Sequence, residues 1–147
     1  MGSFIRVSSP KFPILPGEAE ELVNEGMYGK ALAEYLMLRL RAHGYDAPSC
    51  VCEDRGWWVT LAGFPFTFGV CIYGREQTDG SLDLYVTDGA PKDRTFSWKK
   101  LQFVSRGADA AAAKLHADLL RIFGADLDVT VLATDLESPF VDDEDAS

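Results

Sequence analysis

Alternation of apolar and polar residues in the middle of the chain constrains the fold more than any other sequence feature. Apolar side chains recur at every second position in two consecutive segments, at Phe66, Phe68, Val70 and Ile72 and then at Leu82, Leu84 and Val86. A period of two is typical of a β-strand that has one face in the core. The dipeptide Asp79-Gly80 lies between the two segments and favours a hairpin turn. The sequence therefore predicts an antiparallel meander.

Two adjacent tryptophans, Trp57 and Trp58, follow the acidic turn Glu53-Asp54-Arg55-Gly56. Adjacent residues of a strand point to opposite faces of the sheet. We therefore expect one indole ring to be buried and the other to be displayed beside the charged residues of the turn. A displayed tryptophan next to charges is typical of a contact surface.

Two segments with helical periodicity flank the predicted meander. Apolar residues recur at intervals of three and four from Met27 to His43 and again from Ala108 to Phe123, as in helices with one apolar side. Short strands are predicted at Phe4–Val7 and at Leu127–Leu132, where the alternation returns. Each element has an apolar face to bury, so we expect an α+β fold for residues 1–135. It has a single antiparallel sheet, in the order strand, helix, strands, helix, strand, with two helices packed on one face.

The chain is acidic, with 23 acidic and 14 basic residues among 147 and a formal net charge of -9. This balance argues against a nucleic-acid partner, because phosphate binding needs a basic surface. The negative charge could attract a basic protein partner, or it could simply keep the protein soluble. Part of the charge lies in Asp142–Asp145, so residues 136–147 are predicted to be an acidic, disordered tail.

The sequence shows no pattern typical of membrane insertion or export. No segment approaches the ~20 apolar residues of a membrane-spanning helix, and the first residues hold no apolar run. The number of cysteines is odd, which indicates reduced thiols rather than a disulfide framework. We expect a cytoplasmic protein that has no membrane partner.

Residues that could bind metal do not form a recognisable motif. Cys50 and Cys52 are closer in sequence than zinc ligands usually are, and Cys71 leaves any second ligand pair incomplete. His43 and His116 lie on separate predicted helices, and His116 falls opposite the apolar stripe of its helix, where we expect it to be solvated. The sequence predicts no metal, no cofactor and no catalytic residue.

Three segments carry a resemblance to known proteins: Met27–Leu36, Glu53–Val59 and Gly69–Gly74. They resemble a group of small uncharacterised bacterial proteins, in which a helix of this type leads into a strand opening Glu-Asp-x-Gly-Trp-Trp. The resemblance implies a bacterial cytoplasmic protein and brings no assigned activity. In size, acidity and a sheet edge rich in aromatic residues, the chain is also similar to immunity proteins that neutralise bacterial toxins.

The sequence thus favours a non-enzymatic, immunity-like module that binds a protein through an acidic and aromatic sheet surface. Aromatic and charged residues are favoured interface anchors, and the expected contact set is Trp58, Glu53, Asp54, Tyr73, Asp83 and Tyr85. The expected partner is another protein, basic in charge, or a second copy of the chain. An alternative from another class is a small enzyme or small-molecule binder. It would have a carboxylate-lined pocket between sheet and helices, with Glu53 or Asp54 as the acid–base group.

Overall fold

Six strands, two α-helices and one 3-10 turn make up the part of the chain that the structure describes. The computed structural model describes residues 4–23, 26–53, 56–65, 67–88 and 98–140, except for the side chains of residue 88 and residues 98–109. The strands are β1 (Phe4–Ser8), β2 (Cys50–Glu53), β3 (Gly56–Thr60), β4 (Gly69–Glu76), β5 (Leu82–Asp88) and β6 (Thr130–Leu136). The helical elements are the 3-10 turn (Glu18–Glu20), α1 (Lys30–Ala42) and α2 (Trp98–Gly124).

The six strands form one sheet in the order β2-β3-β4-β5-β1-β6. Every pairing between neighbours is antiparallel. Strands β2 to β5 are a meander of consecutive neighbours, and β1 then inserts between β5 and β6. The predicted α+β class with a single antiparallel sheet is confirmed.

Both helices cover the same face of the sheet, here called the inner face. Helix α1 contacts β2 and β3, and α2 contacts β5 and β6. The apolar sides of the helices and alternate residues of the strands form one continuous core, which includes Leu32, Leu36, Leu115, Trp57, Ile72 and Val86. The intervening residues of each strand lie on the opposite face, here called the outer face.

The observed elements differ from the predicted ones mainly at their boundaries. Helix α2 begins at Trp98, well before the predicted start at Ala108. The segment before Ala108 contains Lys, Leu and Gln, which are good helix formers, and this preference prevails over the weak alternation of its aromatic residues. Strand β6 begins at Thr130 rather than Leu127, because the Asp126 carboxylate accepts the Asp128 N–H at 2.9 Å and holds a turn there.

The ordered contacts of the sheet continue beyond residue 135. Leu136 is the last residue of β6, and the Phe140 ring packs against Tyr85 with 5.0 Å between the ring centroids. Residues 141–147, which hold the predicted acidic run, lie outside the described residues. Within the described residues, neither helix combines the length and the apolar character needed to cross a membrane.

Candidate functional site

The two tryptophans separate onto the two faces of the sheet, as their adjacency predicts. Trp57 is 2% exposed and belongs to the inner-face core, whereas Trp58 is half-buried on the outer face. There Trp58 lies between its cross-strand partners, Val51 of the edge strand β2 and Cys71 of β4. Val51 is 48% exposed. An indole and an aliphatic side chain are therefore presented together at the β2 edge.

A glycine fixes the position of the Trp58 ring. Gly69 of β4 lies diagonally across from Trp58, and a Cβ atom built on Gly69 would lie only 2.6 Å from Trp58 Cζ2. The indole thus occupies space that a side chain at position 69 would need. Because this packing restricts its rotamers, the ring is held in place in the free protein.

An acidic residue borders the tryptophan and the valine. Glu53 pairs with Gly56 at the end of the β2–β3 hairpin, lies on the outer face with Val51, and is exposed. We call Val51, Glu53 and Trp58 the edge patch. Asp54, the other predicted acidic contact residue of this turn, lies outside the described residues.

Nearer the middle of the outer face, a polar cluster is buried. Arg6 Nε donates a hydrogen bond to Asp83 Oδ1 at 2.8 Å, and the Tyr85 hydroxyl donates to Asp83 Oδ2 at 3.1 Å. The Arg6 guanidinium also lies 5.5 Å from the centroid of the Tyr85 ring. Asp83 is 6% exposed and Tyr85 0%. We call Arg6, Asp83 and Tyr85 the central cluster.

Phe140 covers part of this cluster from outside the sheet. Its ring meets Tyr85 edge-to-face at an interplanar angle of 74°. The Arg75 guanidinium lies 4.2 Å from the centroid of the Phe140 ring, a cation–π contact. Tyr73 is half-buried beside this region and packs against Phe4, with 5.7 Å between ring centroids. Phe140, in a segment that follows β6, therefore contributes to the burial of Tyr85 on the face opposite the helices.

The structure divides the predicted contact residues into two groups. Glu53 is exposed at the edge patch, and Trp58 and Tyr73 each reach the surface in part. Asp83 and Tyr85 also lie on the outer face, as the alternation predicts, but their burial keeps them from direct contact with a partner in this conformation. Sequence reasoning missed Val51, although its place between Cys50 and Cys52 in a strand is a signal that could have found it.

Glu53 does not line a space between sheet and helices. It is exposed on the outer face, opposite the helices. A buried carboxylate does exist on the helical side, but it is Glu18, which is 0% exposed. Its Oε1 accepts the Leu15 N–H at 2.9 Å, and its Oε2 accepts the N–H groups of Gly29 and Lys30 at 2.8 and 3.0 Å. Since both oxygens are occupied by backbone donors, Glu18 caps the start of α1 rather than serving as an acid–base group.

A second carboxylate, Asp126, ties three segments together beside α1. Its Oδ2 accepts hydrogen bonds from Lys11 Nζ at 2.7 Å and from the Tyr35 hydroxyl at 2.8 Å. The hydrogen bond and charge of Lys11, with the Asp128 N–H, lower the pKa of Asp126 to about 2. Burial and the bond to Asp126 raise the pKa of Tyr35 to about 12. Both pKa shifts follow from the hydrogen bonds that join these residues and from the burial of Tyr35.

The cysteines and histidines are dispersed. Cys50 and Cys52 lie on the inner face and Cys71 on the outer face, and burial raises the pKa of the Cys50 thiol. His116 is half-buried, and its Nε2 is buried without a hydrogen-bond partner among the described residues. The expectation that His116 is solvated is therefore wrong, because its helix is enclosed on more than its apolar stripe. Among the described residues, no three His, Cys, Asp or Glu side chains group as a metal site would require.

Comparison of the chain with models of protein families, with curated proteins and with solved structures finds no match. The geometry of the outer face is therefore the basis for proposing a function.

Proposed function

We propose that this protein is a non-enzymatic binding module of the bacterial cytoplasm, immunity-like in character, that holds a protein partner through the edge patch. The observation that carries the proposal is the Trp58 ring, packed against Gly69 and partly exposed beside Val51. Tryptophan is among the residues that contribute most to protein–protein binding. A ring already fixed in the free protein loses little side-chain entropy on binding, so more of its contact energy appears as affinity.

The charge of the chain supports a basic partner. Glu53 borders the exposed apolar pair, and the chain as a whole has a formal net charge of -9. A negative field raises the association rate of a positively charged protein and disfavours acidic competitors. We therefore expect the partner to place a basic group next to Glu53 and an apolar group against Val51 and Trp58.

The test begins with a photo-crosslinking amino acid at position 51, in cells, with the same residue at position 132 as the control. Leu132 is 53% exposed on the opposite edge strand, β6. A partner that is crosslinked by the residue at position 51, and not by the residue at position 132, is then purified. Its affinity for the wild-type protein is measured by calorimetric titration. The same titration is made with Trp58→Ala, Val51→Lys and Leu132→Lys.

The proposal expects roughly tenfold or greater weakening for Trp58→Ala and Val51→Lys, as is typical of interface anchors. Leu132→Lys should bind like wild type. Val51 is half-exposed, so Val51→Lys should leave the fold intact, and circular dichroism checks that a loss of affinity does not come from unfolding. Equal affinity for all four proteins would refute the proposal. Light scattering shows whether the crosslinked partner is a second copy of the chain.

A further inference from the structure

The outer face differs chemically from the inner face at the position where Phe140 covers it. The inner-face core is built from apolar side chains, whereas the central cluster contains the Arg6–Asp83 ion pair at 2.8 Å and a tyrosine hydroxyl. Polar groups that keep their mutual hydrogen bonds lose little when water reaches them. Exposing the central cluster is therefore far less costly than exposing the inner face.

The backbone of Phe140 is in a strained conformation, and this strain opposes the contact between its ring and Tyr85. Phe140 has φ 59°, the left-handed region, and no other described residue except glycine has a positive φ. A side chain with a Cβ is strained there. The ring contacts with Tyr85 and Arg75 must outweigh this strain for the segment to stay closed, so closure is a balance of opposing terms.

We propose that Ser138–Phe140, here called the cover segment, is a displaceable cover that regulates the binding surface. When closed, it keeps Tyr85 and Asp83 buried, while the edge patch and part of Tyr73 stay accessible. When open, it adds Tyr85 and Asp83 to the surface, next to Tyr73. The inference rests on the proposed function, because it extends the same face toward the same partner. The sheet itself need not change, since the cover segment follows the end of β6 at Leu136.

The contacts of Phe140 indicate what would replace it. Its ring occupies a position between the edge of Tyr85 and the guanidinium of Arg75, which accepts a planar aromatic group. The Asp83 carboxylate accepts a hydrogen bond from the hydroxyl of that tyrosine. The occupant that fits is an aromatic side chain of the partner, flanked by basic residues that the formal net charge of -9 attracts.

Hydroxyl-radical footprinting of the full-length protein tests the cover without any partner. In Phe140→Ala the oxidation rate of Tyr85 should rise several-fold over wild type, while buried Trp57 stays protected. Phe140→Tyr keeps a ring at the same position and should leave Tyr85 protected, as should Leu132→Ala on the edge strand β6. An unchanged Tyr85 rate in Phe140→Ala would overturn the inference. So would a parallel rise at Trp57, because that result would mean general loosening.

The nature of the occupant is tested with a defined probe, the peptide acetyl-Lys-Phe-Lys-amide, by NMR of isotope-labelled protein. Chemical-shift changes at Tyr85 and Arg75 should be larger in Phe140→Ala than in wild type. Equal changes in both proteins, or none in either, would overturn the replacement of Phe140 by a partner ring. These outcomes do not depend on the edge patch. The proposed function can therefore fail in the Val51 and Trp58 titrations while the cover is still observed, and the reverse also holds.

Discussion

Removal of the Glu18 carboxylate should lower the free energy of unfolding by an amount that follows from its hydrogen bonds. Helix α1 begins after Gly29, which has no side chain to cap the first N–H groups. Glu18, from the 3-10 turn that precedes the helix, accepts the N–H groups of Gly29 and Lys30, and also that of Leu15. Glu18→Ala would leave three backbone donors without their acceptor.

The expected cost follows from the burial of each donor. The bond from Gly29 is buried, and those from Leu15 and Lys30 are partly buried, so water can replace the carboxylate at the last two but not readily at the first. A buried unsatisfied donor costs about 1–3 kcal/mol, a partly hydrated one less, and the lost charge at the helix N-terminus adds about 0.5 kcal/mol. We expect about 4 kcal/mol for Glu18→Ala, and about half of that for Glu18→Gln, whose amide oxygen can still accept from Gly29 and Lys30.

Urea unfolding and thermal melts measure this cost. For a chain of this size, about 4 kcal/mol corresponds to a fall in Tm of roughly 10 °C. The matched control is Glu20→Ala in the same 3-10 turn, where the glutamate is exposed and the expected change is within about 0.5 kcal/mol. Amide hydrogen exchange at Gly29 should accelerate in Glu18→Ala. A loss below about 1 kcal/mol, or one equal to that of Glu20→Ala, would show that the carboxylate does not hold the start of α1.

Three further predictions concern single groups. Gly69→Ala would place a Cβ against the Val59 carbonyl oxygen and 2.6 Å from the Trp58 ring, so both the β3–β4 backbone and the ring must move; tryptophan fluorescence should shift, and urea unfolding should show a loss of about 2–4 kcal/mol. Because the folded state lowers the pKa of Asp126 from 3.8 to about 2, the carboxylate stabilises the fold above pH 3.8 and this contribution disappears as the pH falls toward 2. The urea midpoint of Asp126→Asn should thus lie below that of wild type at neutral pH and converge with it in acid; a constant gap would contradict the assignment. Tyr35, with its pKa raised from 10 to about 12, stabilises the fold below pH 10 and loses this contribution as the pH passes 12, so Tyr35→Phe should remove a phenolate transition near pH 12 from an absorbance titration.

The strands could be predicted because their signal is local. Alternation assigns each residue to a face from its immediate neighbours, and it placed Trp57 inside and Trp58 outside correctly. Tyr73, Tyr85 and Asp83 follow the same rule and share the outer face. What alternation cannot give is how deeply each residue of that face is covered, because covering depends on segments distant in sequence.

Two of the features that sequence reasoning missed depend on such distant contacts. Glu18 caps a helix that begins 12 residues later, so no capping signal appears beside Gly29. Phe140 meets Tyr85 across 55 positions of the chain, and its place after a strand end, before an acidic run, indicates a tail rather than a cover. The early start of α2 at Trp98 was missed for a different reason, since aromatic residues there favour a strand and lysines favour a helix.

The inner face of the sheet holds the core that stabilises the fold, and the outer face holds the proposed binding surface. Effects on binding can therefore be measured separately from effects on stability. Stability depends on the inner face, where helix packing and the Glu18 cap meet the apolar core. The edge patch contributes little to that core, since Val51 is 48% exposed and lies on the opposite face. A substitution at Val51 should therefore weaken binding and leave the Tm unchanged. A substitution at Glu18 should lower the Tm, while the molecules that remain folded bind the partner as tightly as wild type. If the two properties always change together, binding does not occur at the outer face, and a recognition role for Trp58 loses its physical basis.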